Sequence, residues 1–193
     1  MKVSFKIGAC RALATVFTFS LLSGIPLHAT TVLYMPFEEQ CSSAGLIVLA
    51  TAAEQISNWD TGRNLIFTET RFQVEEALKG SAGSTVLTRH LGGRVGDIAQ
   101  DIAGTPEFKI GRRYVLFLEP GPGGFYRVVG FHQGCYPVVS GKDGKARIAP
   151  RLAAEGGAEP HLLGAGAADA AAGEQALSDF LARIRNYLKQ SGR

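Results

Sequence analysis

Beyond its first 29 residues, the sequence lacks a surplus of charge of either sign and a long apolar run. Of its 20 basic and 17 acidic residues, three basic and no acidic ones precede residue 30, so the remainder is neutral. A neutral chain has no basic surplus of the kind that binds nucleic acid. No later apolar segment reaches the roughly 20 residues that cross a bilayer. We therefore expect no nucleic-acid partner and no membrane span in the mature protein.

The first 29 residues predict an export signal. A basic head is followed by the apolar run "ALATVFTFSLLSGIPL" (12–27) and then by "HATT". This order of charged, apolar and small residues is typical of a secretory signal peptide, with cleavage expected after Ala29. The sequence thus indicates an exported protein, either periplasmic or secreted.

Cysteine is scarce in the mature chain. Removal of residues 1–29 would leave only Cys41 and Cys135. Because an exported protein meets an oxidising environment, the simplest expectation is one disulfide between them. A pair of buried thiols is the alternative.

Alternating apolar and polar residues predict a mainly β protein. The segment "LIFTETRFQVEEALKG" (65–80) alternates over most of its length, and "TVLTRHL" (85–91) and "RRYVLFLEP" (112–120) also have strand character. The "GPGG" that follows residue 120 is typical of a tight hairpin turn. Short strands joined by such turns favour an antiparallel barrel or sandwich.

Two helices and a linker complete the expected organisation. "PFEEQCSSA" (36–44) predicts a short N-terminal helix, and residues 150–173 form an Ala- and Gly-rich stretch that indicates a flexible linker. Residues 174–190 predict an amphipathic C-terminal helix that docks on the barrel; a helix that binds a partner or a membrane surface is the alternative. Its apolar stripe consists of Leu177, Phe180, Leu181, Ile184, Tyr187 and Leu188.

The order of four motifs resembles that of a known domain. The motifs are "AGLIVLATA" (44–52), "VEEALKG" (74–80), "IGRRYVLFL" (110–118) and "YRVVGFHQGCYPV" (126–138). In this order they resemble exported bacterial proteins whose core is similar to the netrin or tissue-inhibitor-of-metalloproteinases domain. The resemblance covers roughly residues 37–140, and it implies a small antiparallel OB-like barrel over residues 30–149.

The resemblance does not extend to the inhibitory device of that family. Metalloproteinase inhibitors of this type grip the zinc of their target with the amine and carbonyl of an N-terminal cysteine. Here Cys41 lies well inside the predicted mature start, and "CSS" stands where the family has Cys-x-Cys. The resemblance therefore implies the barrel alone, and a fold does not by itself supply a function.

The glycine-rich stretch "HLGGRVGD" (90–97) has the composition of a phosphate-binding loop but not its spacing. Neither G-x-x-x-x-G-K-[ST] nor G-x-G-x-x-G leading into a helix is present. We expect Gly92, Gly93 and Gly96 to adopt positive φ where the barrel wall bends. Arg94 and Asp97, at the exposed turn, are candidates for contact with a partner.

Few other residues have the chemistry of a functional site. Trp59 lies in a predicted turn, where it either contacts a sugar or protein partner or caps the barrel end. His132 and Cys135 are a weak alternative metal pair, since residues three apart on a strand point to opposite faces. No nucleophile stands in a recognisable catalytic pattern. We expect neither a metal nor a cofactor.

These patterns together predict an exported, non-catalytic binding module. The expected partner is an envelope or extracellular protein or glycan. The alternative is an envelope hydrolase or a protein resembling a protease inhibitor.

Overall fold

A computed structural model describes residues 31–149, 161–163 and 175–192 of the chain. The predicted signal peptide and most of the predicted linker lie outside these residues. Within these residues the helices are α1 (Phe37–Ser43) and α2 (Leu177–Gln190). The strands in chain order are β1 (Thr31–Leu33), β2 (Leu46–Trp59), β3 (Ile66–Lys79), β4 (Thr85–Leu91), β5 (Gly93–Val95), β6 (Ile98–Gln100), β7 (Arg113–Pro120), β8 (Tyr126–Val128), β9 (Cys135–Ser140), β10 (Ala146–Ile148), β11 (His161–Leu163) and β12 (Gln175–Ala176).

Five strands close into a small barrel. The ring runs β2, β3, β4, β8, β7 and back to β2. All neighbours in the ring are antiparallel except β4 and β8, which pair in parallel at Thr88 and Tyr126. The prediction of a mainly β, largely antiparallel barrel with two helices is therefore confirmed, and the ring is compatible with an OB-like barrel.

The ring is extended on one side by three further strands. β9 pairs with the first half of β7, while β8 pairs with its second half. β10 and β12 continue the sheet beyond β9. Because β12 is followed directly by α2, the extension places the start of the C-terminal helix beside the barrel.

The barrel interior is built from the inward rows of the ring strands. On β3 the inward row is Ile66, Thr68, Thr70 and Phe72, all buried, as the alternation predicts. The apolar part of the interior consists of aliphatic and aromatic side chains: Leu46, Val48, Phe72, Val86, Phe108, Tyr114, Leu116 and Leu118. The threonines of β3 make the other end polar.

A second core layer lies between the barrel wall and the two helices. The outer sides of β2 and β7 contribute Ile47, Leu49, Val115 and Phe117, and α1 contributes Phe37. The predicted stripe of α2 packs into this layer, with Leu177, Phe180, Leu181, Ile184 and Leu188 buried. The C-terminal helix thus docks on the barrel. Neither α1 nor α2 is long and apolar enough to cross a membrane.

The "LKG" that ends the second motif has a structural role. The Lys79 ammonium donates to the carbonyl oxygens of Cys41 and Ser42, at 2.8 and 3.2 Å. A positive charge at the C-terminus of a helix satisfies orphan carbonyls and opposes the helix dipole. Gly80 has φ of 75°, and a Cβ there would lie 2.5 Å from the carbonyl oxygen of Gly45. This pair of residues therefore fastens α1 to the end of β3.

Two elements differ from the sequence prediction. β2 continues to Trp59 through residues that indicate a turn, because residues 54–59 pair with the start of β3. The turn is confined to residues 60–65, where the Asp60 carboxylate accepts hydrogen bonds from the amides of Asn64 and Leu65. The glycine-rich stretch 90–97 is more than a bend, since β5 lies within it and pairs with β6 in a hairpin.

The predicted disulfide is wrong for this structure, in which both cysteines are free. Cys41 is buried in α1 within the outer layer, whereas Cys135 begins β9 and belongs to the interior cluster. The two thiols thus lie in separate cores. Burial raises the pKa of each thiol to about 12, so both are protonated at neutral pH. The alternative of two buried thiols describes the structure.

Candidate binding surface

The β5–β6 hairpin packs over one end of the barrel, against β2 and β3. Gly93 begins it with φ of 131°, and a Cβ at this position would lie 2.1 Å from the Thr68 hydroxyl oxygen and 2.6 Å from that of Ser57. Gly92 and Gly96 also have positive φ, at 90° and 60°. The expected positive φ is confirmed for all three glycines, but only Gly92 and Gly93 lie where the chain leaves β4, whereas Gly96 lies in the turn between β5 and β6. Their first role is to let the chain turn tightly over the barrel.

Hydrogen bonds tie the hairpin to the neighbouring turn. The Thr68 hydroxyl donates to the Gly92 carbonyl at 2.6 Å. The Gln100 side chain accepts from the Ile66 amide at 2.6 Å and donates to the Asn64 carbonyl at 3.1 Å. The turn 60–65 and the hairpin 93–100 thus form one structural unit, named here the hairpin end of the barrel.

All three predicted binding residues lie at the hairpin end. Arg94 and Asp97 are exposed on the hairpin itself. Trp59 is half-buried at the end of β2, in register with the fully buried Ile66. Its register places Trp59 in the inward row, at the mouth of the barrel. The indole therefore borders the barrel interior, while the two charged side chains extend into solvent.

The interior beneath the hairpin end is polar. The hydroxyls of Ser57 and Thr68 lie 2.8 Å apart, and the Gln55 amide donates to the Thr70 hydroxyl at 3.2 Å. His90 adjoins this cluster in register with Thr68, and its ring meets Phe108 edge-on. Burial lowers the pKa of His90 to about 4, so the imidazole is neutral at physiological pH.

Among the buried side-chain nitrogen and oxygen atoms of the described residues, one atom of His90 is unsatisfied. Its Nδ1 atom is buried and has no hydrogen-bond partner. An unsatisfied buried polar atom costs about 1–3 kcal/mol. The surroundings of the imidazole therefore disfavour its charged form and leave one of its nitrogen atoms without a hydrogen bond.

His132 and Cys135, the weak alternative metal pair, lie in two successive elements, the turn Phe131–Gly134 and β9. His132 lies in the turn Phe131–Gly134, where its Nδ1 is 3.4 Å from the Gly104 carbonyl oxygen. Cys135 is buried in the barrel interior as a protonated thiol. Across residues 31–149, 161–163 and 175–192, no three His, Cys, Asp or Glu side chains are grouped to hold a metal ion.

A cluster that the sequence reading missed lies on the outer face of β3 and β4. The Arg89 guanidinium carbon is 3.7 Å from the ring centroid of Phe125 and 5.9 Å from that of Phe67. The Glu69 carboxylate accepts from Nε and Nη2 of Arg89, the former at 3.0 Å. We call Phe67, Glu69, Arg89 and Phe125 the stacked platform. Its planar groups are held in place by an ion pair and cation–π contacts.

Exposed aliphatic side chains surround the stacked platform. Leu91 pairs with Phe67, and Ile56 pairs with Glu69, so both lie on the same outer face. Leu87 lies two residues before Arg89 and is also exposed. Phe67 stands out in the sequence as an aromatic residue in the polar row of β3, a signal that could have been read. Phe125 carries no such signal, because only barrel closure brings its loop against β4.

No known protein family matches this sequence, and comparison with curated proteins gives no match either. The described residues form a mainly β structure with a closed five-stranded barrel, compatible with an OB-like fold, and two helices packed on its wall.

Proposed function

We propose that this protein is an exported, non-catalytic binding module of the cell envelope, with a protein or glycan partner. The observation that carries the proposal is the stacked platform. OB-type barrels bind oligosaccharides and oligonucleotides on the face of their second and third strands and with the loops after the first and fourth strands. Here Phe67, Glu69 and Arg89 lie on the second and third ring strands, and Phe125 lies in the loop after the fourth.

The composition of the stacked platform supports a binding role. Aromatic residues and arginine are the commonest hot spots of protein interfaces, and aromatic rings also stack on sugars. Because Glu69 and Phe125 both hold Arg89, its guanidinium is already ordered before a partner arrives. Preorganisation of this kind lowers the entropic cost of binding.

The hairpin end extends the proposed surface. Leu91, at the edge of the platform face, is followed directly by Gly92 and the hairpin. Arg94 and Asp97 provide exposed charges of both signs there, and Trp59 provides a half-buried aromatic at the barrel mouth. In the proposal, the stacked platform supplies most of the affinity, and these three residues contact the ends of the bound partner.

The state of the candidate nucleophiles favours binding over catalysis. Both thiols are protonated at neutral pH, whereas a catalytic cysteine acts as the thiolate. His90 lies inside the barrel next to Phe108 and hydroxyl groups, and Cys41 belongs to the other core.

We further propose that the resemblance to netrin and metalloproteinase-inhibitor domains reflects the barrel and not inhibition. In that family the gripping cysteine is the first residue of the mature chain. Cys41 is instead fully buried in the last turn of α1, where Lys79 binds its carbonyl oxygen. Neither its amine nor its carbonyl is therefore presented to a zinc ion.

The test is binding of the purified protein to a cell-envelope extract and to an array of envelope glycans. Replacing Arg89 or Phe125 by alanine removes one half of the stack, and each is expected to weaken binding by about 2 kcal/mol, roughly 30-fold. Arg94→Ala and Trp59→Ala should weaken it less.

The matched control is Arg127→Ala. Arg127 is also an exposed arginine in an ion pair, with Glu119 at 3.2 Å, but it lies on β8 outside the platform. It should bind like the parent protein. Failure to detect any partner, or equal affinity for the Arg89 and Arg127 variants, would exclude the platform as the binding surface.

A further inference from the structure

The second half of β2 is a strand with an unpaired edge. Pairing between β2 and β7 ends at Thr51 and Arg113, and Ala52 makes the last two bonds across that edge, with Gly111 and Arg112. From Glu54 to Trp59, β2 pairs with β3 alone. Residues 53–59 thus keep one free edge in the described part of the chain, where β2 runs past the end of β7.

The outer face of this segment is also open to solvent. Residues 53–56 are all exposed, whereas residues 46–50 are all buried. Ile56 is 49% exposed on the outer face. Ile110, 55% exposed, lies beside the start of the free edge because the neighbouring Gly111 amide donates to Ala52. The edge therefore combines unpaired backbone groups with two exposed isoleucines.

Free strand edges are templates for strand addition, and proteins usually shield them. Here the charge of Glu54 is compensated by Arg71 on the neighbouring strand, at 3.1 Å. Neither proline nor lysine occurs in residues 53–59. The segment thus lacks these two protective residue types, and the irregularity in its pairing with β3, between Ala52 and Glu54, lies at its start and leaves residues 54–59 in regular register.

We propose that this edge pairs with the same edge of a second copy, forming a two-fold symmetric dimer in which two barrels share one continuous sheet. When two identical strands pair in antiparallel fashion about a two-fold axis, one residue pairs with its own copy across that axis. With Ile56 on the axis, residues 53–59 pair along their whole length. The two Ile56 side chains then lie directly opposite on the outer face, and Glu54 lies opposite Asn58.

Two other alignments are less favourable. With Glu54 on the axis, two carboxylates face each other directly, and with Ser57 on the axis, Glu54 faces Asp60. Like charges directly opposite are destabilising in sheets. The Ile56 alignment avoids both contacts and matches the length of the free segment. Seven residues also agree with the usual length of a strand.

The primary test is sedimentation of the purified protein from the micromolar to the millimolar range. Since a single strand pair is a small interface, the mass should rise reversibly from monomer to dimer over this range. Ile56→Lys places two ammonium groups on the axis and should shift the midpoint at least about tenfold. Leu87→Lys, a similarly exposed leucine on β4, is the matched control and should dimerise normally.

Cross-linking gives an independent readout. Ile56→Cys should form a disulfide-linked dimer on mild oxidation, while Leu87→Cys should not, and the native thiols are buried and protonated. Circular dichroism checks that each variant is folded. A monomer at millimolar concentration, equal dimerisation of both lysine variants, or equal cross-linking of both cysteine variants would overturn the proposal. Partner binding by the stacked platform is measured separately, so either proposal can fail alone.

Discussion

The buried imidazole of His90 should make the stability of the fold depend on pH. Its pKa is about 4 in the folded protein, against 6.5 for an ordinary histidine, because burial disfavours the charged form. Between these values the unfolded chain binds a proton that the folded chain does not. The contribution of His90 is therefore constant above pH 6.5, and stability falls as the pH drops from 6.5 towards 4.

The size of this effect follows from the shift. At about 1.36 kcal/mol per pKa unit, the difference between 6.5 and about 4 corresponds to at most about 3 kcal/mol. Most of that loss should be visible at pH 4.5. For a domain of this size, 5–15 kcal/mol is a typical total stability, so the change is measurable.

The assay is urea unfolding of the parent protein and of His90→Phe at pH 7.5 and 4.5. Phenylalanine places a ring of similar size beside Phe108 and removes both the titration and the unsatisfied Nδ1. The parent should lose about 2–3 kcal/mol more than the variant between the two pH values. Equal losses in the parent and His90→Phe would refute the assignment of the effect to His90.

Three further predictions concern architecture. Gly93→Ala should lower the free energy of unfolding by more than about 2 kcal/mol, because the new Cβ would lie 2.1 Å from the Thr68 hydroxyl oxygen. Gly96→Ala, whose Cβ would have no atom within 4 Å, should cost less. Equal losses of the two variants in thermal unfolding would contradict this prediction. Lys79→Met should lower the free energy of unfolding in urea by about 1 kcal/mol, because it removes the hydrogen bonds to the C-terminal carbonyl groups of α1. An unchanged midpoint would show that these hydrogen bonds do not stabilise the fold. Cys41 and Cys135 should resist alkylation in the folded protein and react after unfolding, as followed by mass spectrometry, while protection in the unfolded, unreduced chain would reveal a disulfide.

The strand pattern and its faces could be predicted from sequence because alternation is a local property. The inward row of β3 and the apolar stripe of α2 both follow directly from their spacing. The positive φ of Gly93 could also be anticipated, since a glycine pair after a strand indicates a sharp bend.

The rest depends on contacts between distant segments. Cys41 and Cys135 are separated because their side chains enter different cores. The residues adjacent to each cysteine in the sequence do not specify which core it enters. Phe125 reaches Arg89 only because β8 closes the ring beside β4. The extension of β2 to Trp59 arises from pairing with β3, which overrides local turn propensity.

The closure of the barrel has a consequence for its dynamics. β8 is three residues long, and its bond to β4 is a single parallel pair at Thr88 and Tyr126. Every other neighbour in the ring is joined over three or more paired residues. The ring therefore has a seam, along which it can open while β2, β3 and β7 stay paired. Amide hydrogen exchange should be fastest there, and the Phe125 loop that closes over Arg89 should move with it.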